Sequence, residues 1–233
     1  MKPKAIIFDV DGTIANSERW GHLPACNEAF KMLGLPIEWD WPSFKKMLII
    51  PGNANRLRHE LNSMNKFSAS DIDAYIDAFV PMKKELYITK YLPHVKLRKG
   101  IEDFIKFIID SHIKLAVVST SYESQINELF NSKLADVKEY FEPILGKESG
   151  IKTGHEGMLY EKCLVKLGLD GHDCLAIEDS STGLRAAARA HIPTVVFYNE
   201  YTENEDFSKA VLVAPSVTSI DINKIIHGDY SKA

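Results

Sequence analysis

The stretch Ala5-Ile6-Ile7-Phe8-Asp9-Val10-Asp11-Gly12-Thr13 decides the fold. Four apolar residues run without a break into two aspartates, and a glycine follows. A short apolar run that stops at turn residues suits a strand buried on both faces, as in a parallel sheet. In extended chain, residues two apart point the same way, so Asp9 and Asp11 can face one ligand beyond the strand end. Gly12 lets the backbone turn tightly beside an anion.

Downstream, the rhythm of the chain changes twice. Residues 17–91 carry apolar residues at helical spacing in four blocks, 18–33, 42–50, 53–64 and 70–91, with no convincing strand. From residue 92 strands and helices alternate. The pattern predicts helices over 101–111, 122–131, 156–167 and 181–190. It predicts strands over 114–119, near 143–146, over 174–177 and 194–197, and a last one near 211–213. Repeated strand–helix units imply a parallel sheet covered on both faces. The expected architecture is therefore α/β: a doubly wound, Rossmann-like core from residues 1–16 and 92–233. A helical cap domain, residues 17–91, is inserted after the first strand.

Composition narrows the function. The 233 residues are 45% hydrophobic and 26% charged, so a full core needs no disulfide or structural metal. The net charge of −4 argues against a general nucleic-acid or anionic-membrane binder. Cys26, Cys163 and Cys174 form no Cys-x-x-Cys pair or zinc spacing and read as buried thiols of a reducing compartment. Met1-Lys2-Pro3-Lys4 runs straight into the first strand, unlike a signal peptide, and no apolar run is long enough for a bilayer. A cytoplasmic monomer is expected, with neither nucleic acid nor membrane as its partner.

In a doubly wound sheet, ligands bind beyond the carboxyl ends of the strands. Reactive groups stand at four such places: Asp9 with Asp11, Ser119 with Thr120, a loop with Lys152, and Glu178 with Asp179. Close carboxylates repel and one picks up a proton unless a cation intervenes. Hard oxygen donors with room for water and phosphate suit Mg²⁺. An aspartate can attack phosphorus, and a second acid can protonate the leaving oxygen and then activate water. Ser119 and Lys152 could hold phosphate oxygens, although Ser119 and Thr120 could equally cap the next helix. Lys147 is a second candidate for the lysine.

These residues resemble the haloacid dehalogenase superfamily. Phe8-Asp9-Val10-Asp11-Gly12-Thr13 matches its first motif, Ser119 its second, Lys152 its third and Ile177-Glu178-Asp179-Ser180 its fourth. The stretch from Glu178 to Ala187 is similar to the β-phosphoglucomutase-like branch. The resemblance implies Asp9 as nucleophile and Asp11 as general acid and base. It implies Mg²⁺ on Asp9, the Asp11 main-chain carbonyl and Asp179, with Glu178 beside it, and phosphate held by Ser119 and Lys152. A narrower likeness, to the branch that includes xylulose-1,5-bisphosphate phosphatases, implies that Glu18 and His22 face the substrate and Arg56 meets a distal anionic group. The implied activity is a Mg²⁺-dependent phosphatase for a small phosphorylated metabolite, a sugar phosphate first of all. A phosphomutase is the alternative, and a dehalogenase or a catalytically idle binding protein stands further off. Two departures bear on substrate and lysine. Gly52-Asn53-Ala54 replaces the branch's Gly-Gly-Lys, and Thr153-Gly154 follows Lys152 where proline is usual.

Overall fold

The computed structural model describes residues 2–230. In chain order the elements are β1 (Ala5–Phe8), α1 (Leu23–Met32), α2 (Trp41–Met47), α3 (Asn53–Ser63), α4 (Ala69–Leu86) and α5 (Ile101–Asp110). There follow β2 (Lys114–Val118), α6 (Glu123–Lys133), β3 (Phe141–Leu145), α7 (Leu159–Leu167), β4 (Cys174–Glu178) and α8 (Ser181–Arg189). The chain ends with β5 (Thr194–Phe197), β6 (Leu212–Ala214) and α9 (Ile222–His227). No helix among the described residues is long and apolar enough to cross a membrane.

The chain divides into two compact units, residues 1–16 with 96–233, and residues 17–95. In the first, the core unit, six parallel strands lie in the order β3-β2-β1-β4-β5-β6. All four residues of β1 are fully buried, and β1 sits centrally: Phe8 is level with Val117 of β2 and Ile177 of β4. Successive side chains of a strand face opposite ways. Ala5 and Ile7 accordingly pack with Tyr160, Cys163, Ala186 and Ala187 of α7 and α8. Phe8 meets Phe104 of α5 and Phe141 edge-on, at ring-centre separations of 6.0 and 6.1 Å. Burying each such aromatic ring is worth about 2 kcal/mol. The order places the ends of β1, β2 and β4 side by side, which brings distant sequence segments together.

The helical unit has its own core. Phe30, Trp39, Phe44 and Phe79 pack with Leu57, Leu61 and Ile76 from all four of its long helices and their connections. The block 18–33 is not one α-helix: a π-helical turn, Glu18–His22, precedes α1, with Pro24 in the first turn of α1. The block 70–91 likewise closes on a π-helical turn, Tyr87–Tyr91.

Several boundaries differ from the sequence pattern by one to a few residues, and at two of them the packing cause is plain. The helical unit runs to Val95 rather than ending at Tyr91. The reason is packing: an added Cβ on Gly21 would lie 2.7 Å from Tyr87 and 2.9 Å from Val95, so the segment through Val95 closes on the unit's first turn. Helix α7 begins at Leu159 rather than near Glu156. There Gly157 lies so close to the Lys152 carbonyl that a Cβ would be 2.3 Å from its oxygen, and the chain stays a loop.

Candidate active site

The turn after β1 builds the site. Asp9 extends the strand pairing through its N–H, which donates to the Ile177 carbonyl at 3.0 Å. The chain then closes on itself. The amides of Ile14 and Ala15 donate to the Val10 carbonyl, and that of Gly12 to the Ala15 carbonyl. Gly12 has φ +85°, and a Cβ there would lie 2.2 Å from Asp179 Oδ2. Any other residue would be both strained and obstructed by the acid.

Three carboxylates, from Asp9, Glu178 and Asp179, meet at the joined ends of β1 and β4, with one oxygen from each within 4.8 Å of the others. All are buried. Lys152 is buried with them, its Nζ 2.6 Å from Asp9 Oδ1 and 2.8 Å from Glu178 Oε1. Thr13 Oγ1 donates to the other Asp9 oxygen at 3.0 Å. Tyr160 donates its hydroxyl to Glu178 Oε1 at 2.5 Å. Asp179 Oδ2 accepts from Asn199 Nδ2 at 2.7 Å and from the Tyr201 hydroxyl at 3.5 Å. Glu178 Oε2 is buried without a hydrogen-bond partner.

One ammonium against three carboxylates leaves the group short of positive charge. Burial pushes Asp9 up to about 7, with Glu178 adding to the rise and Lys152 opposing it. Asp179 is pushed well above the usual carboxylate range by burial first and then by Asp9 and Glu178. For Lys152 burial works against the ammonium, but Asp9 and Glu178 outweigh it and hold the proton on. The group fits a divalent cation on chemical grounds. It offers hard oxygen donors, one of them an orphaned carboxylate oxygen, in a place where added positive charge would relieve repulsion.

Asp11 plays a separate part. Its carboxylate lies outside the three-acid group and accepts from Ser121 Oγ. Ser119 is fully buried and its Oγ accepts from the Ser121 amide at 3.1 Å, while Thr120 is exposed in the same turn. Helix α6 starts at Glu123, past both hydroxyls, with Tyr122 as its capping residue, so neither Ser119 nor Thr120 caps it. Lys147 is exposed. Its Nζ lies 3.3 Å from the Tyr122 hydroxyl and over that ring, so of the two lysines it is Lys152 that reaches Asp9. The Lys152 loop is pinned from behind. The amides of Met158 and Leu159 donate to the Ile151 carbonyl, and Arg189 donates to the Gly157 carbonyl at 3.2 Å.

Glu18, His22 and Arg56 belong to the helical unit. The His22 ring stacks on Tyr87 at 4.3 Å, and its Nδ1 lies 2.7 Å from Lys83 Nζ. Arg56 is buried. Its Nε donates to the carbonyls of Met47 and Ile50 and its Nη1 to Asn53 Oδ1, and Glu18 Oε2 stands 3.6 Å from Nη1.

Thr13, Ser121, Tyr160, Asn199, Tyr201 and Lys83 were not singled out in the sequence. For Tyr160 a signal existed, since it follows Lys152 by only eight residues and so stays close to that lysine's loop. The others hold their places through contacts made by the folded chain.

Known proteins resemble this chain in sequence and in fold. The family model of haloacid dehalogenase-like hydrolases matches residues 6–197. A plasmid-encoded CbbY protein of Cupriavidus necator is 35% identical over 216 residues, covering 91% of this chain and 85% of that one. The crystal structure of CbbY from Rhodobacter sphaeroides in complex with phosphate superposes with a TM-score of 0.75 at 28% identity, covering 93% of this chain and 95% of that one. A variant of that protein in complex with xylulose-(1,5)bisphosphate matches equally well. The β-phosphoglucomutase of Clostridium difficile shares the fold, with a TM-score of 0.74 at 22% identity over 98% of this chain and 97% of that one.

Proposed function

The chain belongs to the haloacid dehalogenase-like hydrolase family, and on that footing we propose that it is a Mg²⁺-dependent phosphatase of a small phosphorylated sugar, working through an aspartyl-phosphate on Asp9. One observation carries this reading. Asp9 stands at a strand end with each oxygen held by a different donor, Lys152 and Thr13, among more carboxylates than the site has cations. Asp9, Asp179 and the Asp11 main-chain carbonyl, with Glu178 beside them, would hold the metal. Bound there, Mg²⁺ would offset the negative charge of carboxylates and phosphate together.

The residues of the chain divide the chemistry. An Asp9 carboxylate oxygen bonds to phosphorus as the bond from phosphorus to the leaving oxygen breaks. Protonated Asp11 gives its proton to that leaving oxygen, and the carboxylate so formed takes a proton from the water that frees the phosphate. Ser121, which donates to Asp11, keeps that side chain turned to the task. Lys152 and Ser119 would hold phosphoryl oxygens, with Thr120 and the Gly12 turn at the rim. Glu18, His22 and Arg56 are the proposed substrate-selecting side chains of the helical unit. The sugar-phosphate class is supported by the xylulose-(1,5)bisphosphate complex of the Rhodobacter sphaeroides relative.

An assay of phosphate release over sugar phosphates and bisphosphates, with and without Mg²⁺, tests the proposal. The expected result is metal-dependent release from one or a few sugar phosphates, and an adduct on Asp9 in protein treated with beryllium trifluoride. Glucose 6-phosphate formed from β-glucose 1-phosphate with a bisphosphate activator would replace hydrolysis by a mutase reaction. Activity that survives EDTA would turn the reading toward a dehalogenase.

A further inference from the structure

Arg98 follows closely on the boundary between the units and spends its guanidinium on main-chain carbonyls. Nη1 donates to Gly12 at 2.6 Å and to Phe197, and Nη2 donates to Tyr198 at 2.9 Å and to Pro215 at 2.7 Å. Its own amide donates to the Ile14 carbonyl at 2.8 Å. The rigid planar fork of a guanidinium suits such a clamp, which a flexible ammonium cannot copy. One side chain thus ties together the turn after β1, the end of β5 and the turn beyond β6.

Asn199 completes the connection. Its Nδ2 donates to the same Gly12 carbonyl at 3.0 Å and to Asp179 Oδ2 at 2.7 Å. Its main-chain amide is held by Thr202 Oγ1 at 2.8 Å, and Thr202 is buried. The Gly12 carbonyl therefore accepts from both Arg98 and Asn199, and the second of these reaches an acid of the three-carboxylate group. A carboxylate can rotate about its last bond, and hydrogen bonds behind a metal ligand are what fix its orientation; removing them costs about 10- to 100-fold in metal affinity.

We propose that Arg98 and Asn199 are positioning residues for Asp179: Arg98 clamps the β5 end against the first turn, and Asn199, held in that clamp, sets the Asp179 carboxylate for a divalent cation. This deepens the metal-dependent reading above and rests on it. Neither residue is assigned a bond to substrate. They act through Gly12 and Asp179.

The test is direct titration of Mg²⁺ and Mn²⁺ by calorimetry on the whole protein, with thermal unfolding beside it. Asn199→Ala should raise the metal Kd about 10-fold or more with little change in unfolding temperature. Arg98→Met should raise it by a similar factor. The double variant should bind scarcely worse than Arg98→Met, because residues acting through one path are not additive. At saturating Mn²⁺ the kcat of Asn199→Ala should return close to that of the unsubstituted protein. Unchanged metal affinity in Asn199→Ala overturns the proposal, and so does a fully multiplicative loss in the double variant. If Arg98→Met fails to fold, Asn199→Ala alone decides. An unsubstituted protein that takes up no divalent cation defeats the functional reading and this proposal together. Cation uptake by that protein, matched in Asn199→Ala, defeats only the proposal.

Discussion

Each unit buries a polar cluster, and the two are settled differently. In the core unit Asp9, Glu178 and Asp179 crowd like charges around the ammonium of Lys152, three acids to one cation. In the helical unit the cations are matched inside the unit. Arg56 is spent on the carbonyls of Met47 and Ile50 and lies over the Phe44 ring, and Lys83 lies against His22 and over the Tyr87 ring. Carbonyl acceptors and aromatic faces compensate a buried cation well. Three carboxylates around the one ammonium of Lys152 are compensated only in part until a further cation arrives. Burial alone therefore does not mark chemistry, whereas uncompensated charge at a set of strand ends does.

The contrast can be broken most sharply at Asp9. Asp9→Asn keeps the shape of the side chain and removes the nucleophile, so turnover should fall by about 10³-fold or more while circular dichroism stays that of the unsubstituted protein. Turnover near the original level would take Asp9 out of its role and make the core cluster another architectural one.

Next in size is the dependence of stability on pH and metal. The folded metal-free protein holds Asp9 near 7, above its ordinary value. A carboxyl raised in this way stabilises the folded state fully at pH below the ordinary value, and that contribution is lost as pH rises through about 7. A divalent cation binds the ionised form and restores it. The rise in unfolding temperature produced by Mg²⁺ should thus be small at pH 5 and grow to about 5 °C or more at pH 8. A metal-induced shift that is largest at pH 5 would contradict the sign of the Asp9 perturbation.

The smallest expected effect lies in the helical unit. Arg56→Ala strips the Met47 and Ile50 carbonyls of a buried donor and should cost about 1–3 kcal/mol in unfolding by urea. If Arg56 also selects substrate, KM for sugar phosphates should rise about tenfold while hydrolysis of a small aryl phosphate changes little. An equal change for both substrates would leave the helical cluster purely structural and widen its difference from the core.

Much of the core was legible because its signals are local. An apolar run ending in Asp9-Val10-Asp11-Gly12, and another ending in Glu178-Asp179, each announce a buried strand and a reactive end within a few residues. The six-stranded parallel sheet followed from the same rhythm. Legibility stopped where contacts cross the chain. Asn199 beside Asp179, Ser121 on Asp11 and Arg98 on Gly12 join segments far apart in sequence, and each of these residue types is common in ordinary loops. The helical cluster is assembled from a π-helical turn, α3 and α4, whose facing sides follow from packing rather than from a short pattern. The Val95 boundary escaped for the same reason, because a close approach to Gly21 draws that segment into the helical unit.

By itself the sequence determined which strands are buried and which acids stand at their ends, since strand burial and turn chemistry depend on near neighbours. Strand order was left to the tertiary structure, and strand order makes a cluster out of scattered acids. With β1 between β2 and β4, Asp9 comes beside Glu178 and Asp179, and the loop pinned to Ile151 delivers Lys152 among them. Electrostatic energy depends on distance through space, so the charge imbalance that defines the site exists only once the sheet has formed.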